Sequence, residues 1–508
     1  MAAAPLPSSL RPLAAAEFDY WKAQHLLNRA GFGGTPAQAR ALADLGLNKA
    51  IEYIINYETI EAEPVTADQF DGTIMRPPTQ EEQQALAAAR RQQDEAFVEQ
   101  FRMERQRRQG ADRRQHADVQ AWWLKRMIQS PRPLEEKMTL FWHGHFATGY
   151  RTIENSYDMF QQNQFFRANA TGNFAELVYG IIRDPAMLRY LNNNQNRRQA
   201  PNENLARELM ELFVLGEGNA YTEVDIKEGA RALTGYTYRY DESLGHHMPF
   251  FDQGQHDPTP KRILGKVGPW DGVDFCRIIL QNHYASQFIC WKFYRFFVND
   301  LPGDPDQPTQ QFILKLAELL RKSNYELKPV LTALFKSEHF YHESNRASLI
   351  KSPTQLIVQA VRSMYTPVRS LRALVGAGDL MGQDLLMPPS VKGWDGGRSW
   401  INTATLYVRQ NLLVYLLTGR RPNTYEWEIS SERYDATHLV ANLPRESGRV
   451  RVEDAVPYLL RFILGADPPP ERTRALLQFA QSHAGPLDND MIVALLSLIT
   501  AMPEYQLC

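Results

Sequence analysis

Two histidines one residue apart, in Phe141-Trp142-His143-Gly144-His145-Phe146, are the first side chains in this sequence that could do chemistry. Imidazole is the commonest metal ligand and the natural acid–base group near neutral pH. Residues two apart share a side only on extended backbone; on a helix they diverge by roughly 200°. Gly144 makes an extended or kinked path easy. His143 and His145 are therefore candidate metal ligands, with hydrogen bonds to backbone at a helix end as the alternative. A second constellation lies in PNENLARELMELF, residues 201–213. On a helical wheel Asn204, Arg207, Glu208 and Glu211 fall within a sector of about 100°, and Leu205, Leu209, Leu212 and Phe213 fill the other side. Glu208 and Glu211, one turn apart, could share a metal or divide acid and base roles, with Arg207 binding substrate. Glu203–Arg207 and Arg207–Glu211 are also i,i+4 pairs, so a surface salt-bridge ladder explains the same face. The functional version requires that this face turn inward and meet His143, His145 or His256.

Three further motifs carry polar groups. Thr222 and Asp225 fit a capped helix start, and Gly235 fits its stop; Arg231 on that helix is a candidate anion-binding group. Gln255-His256-Asp257-Pro258 places a histidine and an acid in a loop, with Lys261 close behind. His256 and Asp257 are candidate catalytic groups, either holding a metal or orienting one another, although adjacent residues rarely face each other. Lys261 is a candidate substrate-binding group. Finally, PPSVKGWDGG, residues 388–397, is a loop by its prolines and glycines. Trp394 and Trp400 could stack on a sugar or a cation, or plug the loop onto the core.

The elements that must position these groups read as helices. Helical periodicity dominates, and no segment shows sustained strand alternation beyond short hairpins near residues 236–251. The expected fold is all-α, a large multi-helix array. The expected organisation is an N-terminal helical bundle (1–78), a charged helical insertion (79–117), a main helical domain carrying the polar motifs (118–425) and a C-terminal helical bundle (426–508). Thr35-Pro36 reads as N-cap and first helical residue. Residues 79–117 are rich in Gln, Glu, Arg and Ala, a composition that favours helix and offers little to bury. They form either a long solvated segment or a partner-binding arm.

Composition narrows the function. At 44% hydrophobic and 22% charged residues, the 508-residue chain is globular rather than disordered. A net charge of −2 gives no strong pull toward nucleic acid or an anionic membrane. Three cysteines make no disulfide framework, and no CxxC pair marks a zinc site. No P-loop, Rossmann fingerprint, GxSxG elbow or HExxH helix is present. No apolar run reaches the roughly 20 residues of a transmembrane helix. The first residues lack a basic segment followed by a long apolar run, which as given points to the cytoplasm.

Together, HLLNRAGFG, FWHGHF, DPAML ahead of PNENLARELMELFVLG, YTEVDIKEGARALTG, the His-Asp loop and MPPSVKGWDGG resemble the bacterial family DUF1800 in an ordered series covering roughly residues 18–418. The resemblance implies a large helical protein, frequently exported, encoded beside a sulfatase-like exported protein that is a candidate partner. It implies no catalytic residue. Two functions follow as expectations. One is a metal-assisted or acid–base hydrolase acting on an envelope or polysaccharide substrate, with a divalent transition metal such as zinc, iron or manganese at its centre. The other is a non-catalytic surface protein, binding polysaccharide through the tryptophan loop or serving as scaffold for an exported partner. Convergence separates them, because an enzyme needs these groups in one cleft.

Overall fold

The computed structural model describes residues 5–300, 303–422, 424–483 and 487–508. Among them helices account for 60%, in 23 α-helices joined by short turns, and strands occur only as three two-stranded antiparallel hairpins. The longest hairpin pairs Tyr236–Asp241 with His246–Phe251. The all-α reading holds. Its local signals hold too: Thr35 and Thr222 each close a reciprocal capping box, with Gln38 and Asp225, and Gly235 takes φ +86° where the helix before it stops. Among the described residues no helix is long and apolar enough to cross a membrane.

Two hydrophobic cores organise the array. The first gathers buried side chains from Leu13 to Tyr341, including those of the Tyr20–Ala30, Gly46–Ile55 and His283–Phe297 helices. The second gathers the inner half of the Glu95–Gln129 helix with the Pro353–Met364, Thr403–Thr418, Val452–Leu464 and Asn489–Thr500 helices. The cores run across the segment bounds expected from sequence: 1–78 shares its core with later helices, and residue 117 lies inside one continuous helix. The Pro133–His145 helix sits at the seam. It gives Leu134, Met138, Phe141 and Trp142 to the first core and Leu140 to the second.

The charged insertion forms an antiparallel pair, Gln80–Gln92 and the outer half of Glu95–Gln129, broken at left-handed Gln93. In the first helix only Ala89 is buried, and before Asp112 the second buries nothing. From there the helix enters the protein. The Asp112 carboxylate accepts hydrogen bonds from the Tyr150 hydroxyl (2.8 Å) and from the Ser156 backbone and hydroxyl (2.9 and 2.6 Å). His116 stacks on Tyr150 at 3.9 Å. Polar composition thus marks the exposed outer arm, while at the inner end Asp112 is buried with three donors supplied by the protein and His116 is buried by ring stacking, its Nε2 without a hydrogen-bond partner. Asp112→Ala, which orphans three buried donors, should cost about 3 kcal/mol in chemical denaturation. Glu99→Ala, on the outer arm, should leave the unfolding midpoint unchanged. Equal effects at the two positions would contradict this division of the helix.

Candidate functional site

The site begins where two of the sequence motifs touch. The Pro133–His145 helix runs unbroken through Gly144, and the Phe146 amide caps it on the Trp142 carbonyl at 2.8 Å. Helical backbone sends His143 and His145 apart, so the extended path that would pair them does not form. A glycine is needed at 393 for two reasons. Its φ is +80°, and a Cβ there would lie 2.2 Å from the Gly144 carbonyl oxygen. A Cβ at 144 would itself meet the Trp394 ring at 3.9 Å. The tryptophan loop therefore lies directly on the helix backbone.

This contact fixes the histidines. His143 accepts the Leu386 amide at Nε2 (3.1 Å), with the Trp123 and Trp394 rings edge-on to it at 5.4 and 5.5 Å. The lone pair at that nitrogen is taken by the loop. His145 leaves the other side. Its Nε2 lies 2.9 Å from the Phe213 carbonyl, which can only accept, so Nε2 carries the proton. Burial pushes both imidazoles down to about 3, which keeps them neutral. The Nδ1 atom of His145 is buried without a hydrogen-bond partner. The carbonyl that His145 holds belongs to a π-turn, Leu209–Val214, closed by the Leu215 amide on the Met210 carbonyl at 3.1 Å. Wide turns of this kind re-aim side chains and occur frequently at functional sites.

Facing this corner is the His283–Phe297 helix. Ile289, Phe293, Tyr294 and Phe297 enter the core, and Phe288, Trp291, Lys292 and Arg295 form a stripe at i, i+3, i+4 and i+7 on the other side. The stripe, the π-turn and the tryptophan loop enclose a cleft of about 780 Å³. The cleft adjoins a deeper pocket of about 190 Å³ lined by His145, Trp400, Lys137 and Lys351, and the two share Lys292, Arg295, Lys392, Trp394 and Asp395. Arg295 is held by Asp300 at 2.8 Å. Lys292 is open to the cleft but closely surrounded by protein. Burial, then Arg295 and Lys392, bring its ammonium down to about 8. Burial likewise brings Lys137 to about 8 and Lys351 to about 7. Cations and indole rings are thus brought together around one opening.

The sequence candidates divide accordingly. Glu211, His145, Trp394 and Trp400 line the cleft or its inner pocket. Arg207 is spent on a ladder, donating to Glu203 (3.1 Å), Glu211 (3.2 Å) and Glu223 (2.8 Å). Glu208, half-buried beside it, has a carboxyl raised to about 7 by burial and then by the Glu211 charge. His256, Asp257, Arg231 and Lys261 form a separate clasp. Arg231 pairs with Asp257 at 2.8 Å, the His256 Nδ1 bonds the Thr234 carbonyl at 2.9 Å, and Lys261 bonds the carbonyls of Asp257 and Thr259 at 2.6 and 3.0 Å. Burial alone would raise the Asp257 carboxyl; hydrogen bonds from Arg231 and Thr259 outweigh it and hold the group low. Each of these groups ties a loop to a helix. Among the described residues no group of three or more His, Cys, Asp or Glu side chains is arranged to hold a metal ion. His143 and His145 share no ligand position.

Sequence reasoning missed Lys292, Arg295, Lys137, Lys351 and Lys392. The one available signal was WKFYRFF, with cations and aromatics at helical spacing, a pattern that any amphipathic surface helix also shows. Gly393→Ala should cost about 3 kcal/mol or more in unfolding free energy, because backbone meets backbone there and neither side can yield. Gly396→Ala, with open space at its Cβ, should cost less despite its own positive φ. A neutral Gly393→Ala would contradict the contact.

Neither the curated proteins nor the solved structures contain a match to this chain. The family described as protein of unknown function (DUF1800) matches residues 25–507, nearly the whole length. The chain belongs to the DUF1800 family.

Proposed function

We propose that the chain is a saccharide-binding protein whose ligand is anionic, an acidic polysaccharide held in the cleft between the His283–Phe297 helix and the tryptophan loop. The observation that carries this reading is the convergence of half-buried Lys292 and Arg295, with Lys392 and the Trp394 ring, on one opening whose acids are either paired, as Glu211 is with Arg207, or exposed, as Glu217, Asp304 and Asp395 are. Ammonium and guanidinium groups suit carboxylate or sulfate. Indole faces suit the apolar face of a pyranose. A concave site of several hundred Å³ with a few polar groups is the ordinary form of a ligand pocket.

Calorimetric titration with oligogalacturonate, against a neutral glucan oligomer of equal length, tests the reading. The acidic oligomer should bind and the neutral one should bind at least about tenfold more weakly. Affinity should fall with added salt. Because the lowered Lys292 ammonium is charged below about 8 and neutral above it, affinity should hold from pH 6 to 7 and decline as pH rises through 8. Lys392→Gln, at an exposed position, should weaken binding about tenfold with the fold intact. Equal binding of both oligomers, or none, would overturn the proposal.

One observation favours hydrolysis as a second reading. The Glu208 carboxyl, raised to about 7, retains a proton near neutrality, next to Glu211 at the cleft wall. Acid–base cleavage of a glycosidic bond uses a protonated carboxyl on one side of the bond and a second carboxyl on the other, and on this reading Glu208 is the acid. On this reading oligogalacturonate is cleaved, the rate falls as pH rises through 7, and Glu208→Gln abolishes cleavage while leaving binding in place. Cleavage unaffected by Glu208→Gln would remove Glu208 from the chemistry.

A further inference from the structure

The lysines of this corner differ in how their amines are satisfied. Lys137 donates to the Gln355 side chain, with its ammonium over the Phe32 and Phe296 rings at 4.9 and 5.1 Å. Lys351 donates to the Tyr505 carbonyl at 2.8 Å and lies 3.7 Å from that residue's ring. Lys261, buried in the clasp, has two carbonyl acceptors. Lys292 has neither a hydrogen-bond acceptor nor a carboxylate partner among the described residues; its ammonium lies 5.2 Å from the Phe288 ring centroid. It nevertheless stands at the junction of the cleft and the inner pocket. The protein thus keeps one enclosed amine unoccupied and reachable.

From this arrangement we infer that Lys292 is a nucleophilic amine that forms an imine with the carbonyl carbon of an aldehyde or ketone bearing an anionic group. The inference rests on the anion-binding reading of the same cleft. Three features support it. The unpaired amine stands among Phe288, Trp291 and Trp394, which limit its hydration. Arg295 and Lys392 share the lining with it, which disfavours its protonated form and attracts an anionic carbonyl compound. Four acids share the cleft lining with these cations: Glu211 is engaged by Arg207, and Glu217, Asp304 and Asp395 are exposed, where solvent and salt screen them more than the half-buried Lys292 and Arg295. Asp300, in the inner pocket, is engaged by Arg295. His145, neutral, adds no charge. In the reaction the amine lone pair forms a bond to the carbonyl carbon. The carbonyl oxygen then leaves as water with the two protons of the neutral amine, and a carbon–nitrogen double bond remains. No oxidant, reductant or metal enters the balance. A desolvated lysine beside another cation is a recurrent device for making such an amine reactive at neutral pH.

Reductive trapping on the whole protein tests this. Glyoxylate with cyanoborohydride at pH 7, followed by peptide mass mapping, reports the rate of modification at Lys292 against exposed Lys49 and Lys125. Lys292 should react at least about tenfold faster, because its amine is neutral in a far larger fraction at that pH. Lys392→Gln, which removes a neighbouring positive charge, should reduce that advantage, and excess sulfate should slow the reaction by occupying the cleft. Modification of Lys292 no faster than Lys49 and Lys125 would overturn the inference. If sulfate still quenches tryptophan fluorescence in that case, anion binding survives and only the imine chemistry falls. If Lys292 is trapped rapidly with neutral glycolaldehyde as well as with glyoxylate, and sulfate gives no protection, the reactive amine stands and the anion-binding reading falls.

Discussion

Backbone meets backbone where Gly393 lies on the Gly144 carbonyl, and the geometry of the site follows from that contact. A side chain at 393 would force the tryptophan loop away from the Pro133–His145 helix. The Leu386 amide would then lose His143, and Trp394 would leave the cleft wall. The helix is itself held at the seam of the two cores, and its far end is anchored by a buried charge. Glu136, fully buried, receives both arms of Arg167 at 2.8 Å, Arg126 at 3.1 Å and the Trp123 indole at 3.1 Å. A buried carboxylate left unpartnered costs several kcal/mol, so this network specifies where the helix lies more than it stabilises the fold. One end of the helix is thus fixed by charge and the other by glycine.

The cleft carries the opposite electrostatic design. Glu136 has its cations, whereas Lys292, Lys392 and Arg295 share a lining whose acids are engaged or exposed. Gathering like charges in a partly desolvated cleft is unfavourable for the empty protein. On the proposed anion-binding function, an arriving anion would offset the charge of the half-buried cations and give Lys292 an acceptor. Burial lowers the proton affinity of Lys292 most, and the neighbouring Arg295 and Lys392 lower it further.

Much of the fold was legible because its signals are local. Capping boxes at Thr35 and Thr222, the stop at Gly235 and helical spacing of apolar residues each act within a few positions, and tertiary packing agrees with them. The Arg207 ladder was legible for the same reason, as an i,i+4 pattern. FWHGHF and PPSVKGWDGG stood out as motifs, but their mutual contact joins distant parts of the chain, and neither glycine announces which backbone it must admit. Gly144 suggested an extended path because glycine permits one; the helix passes through it because hydrogen bonding and packing on both cores outweigh that permission. The cations of WKFYRFF were hidden by the ambiguity of amphipathic helices, which present charge equally to solvent and to a cleft. The π-turn, closed by the Leu215 amide on the Met210 carbonyl and contacted by His145 from a distant helix, has no sequence signal of its own.

The most direct test of the anion-binding cleft is anomalous diffraction from crystals soaked in selenate, a tetrahedral oxyanion that stands in for a sulfate or carboxylate group of the ligand. The account predicts a selenium peak inside the cleft, within hydrogen-bond distance of at least two of Lys292, Arg295 and Lys392, that disappears in Lys392→Gln crystals or shifts toward the inner pocket. Peaks confined to surface arginines, with the cleft empty at selenate concentrations that occupy them, would contradict it.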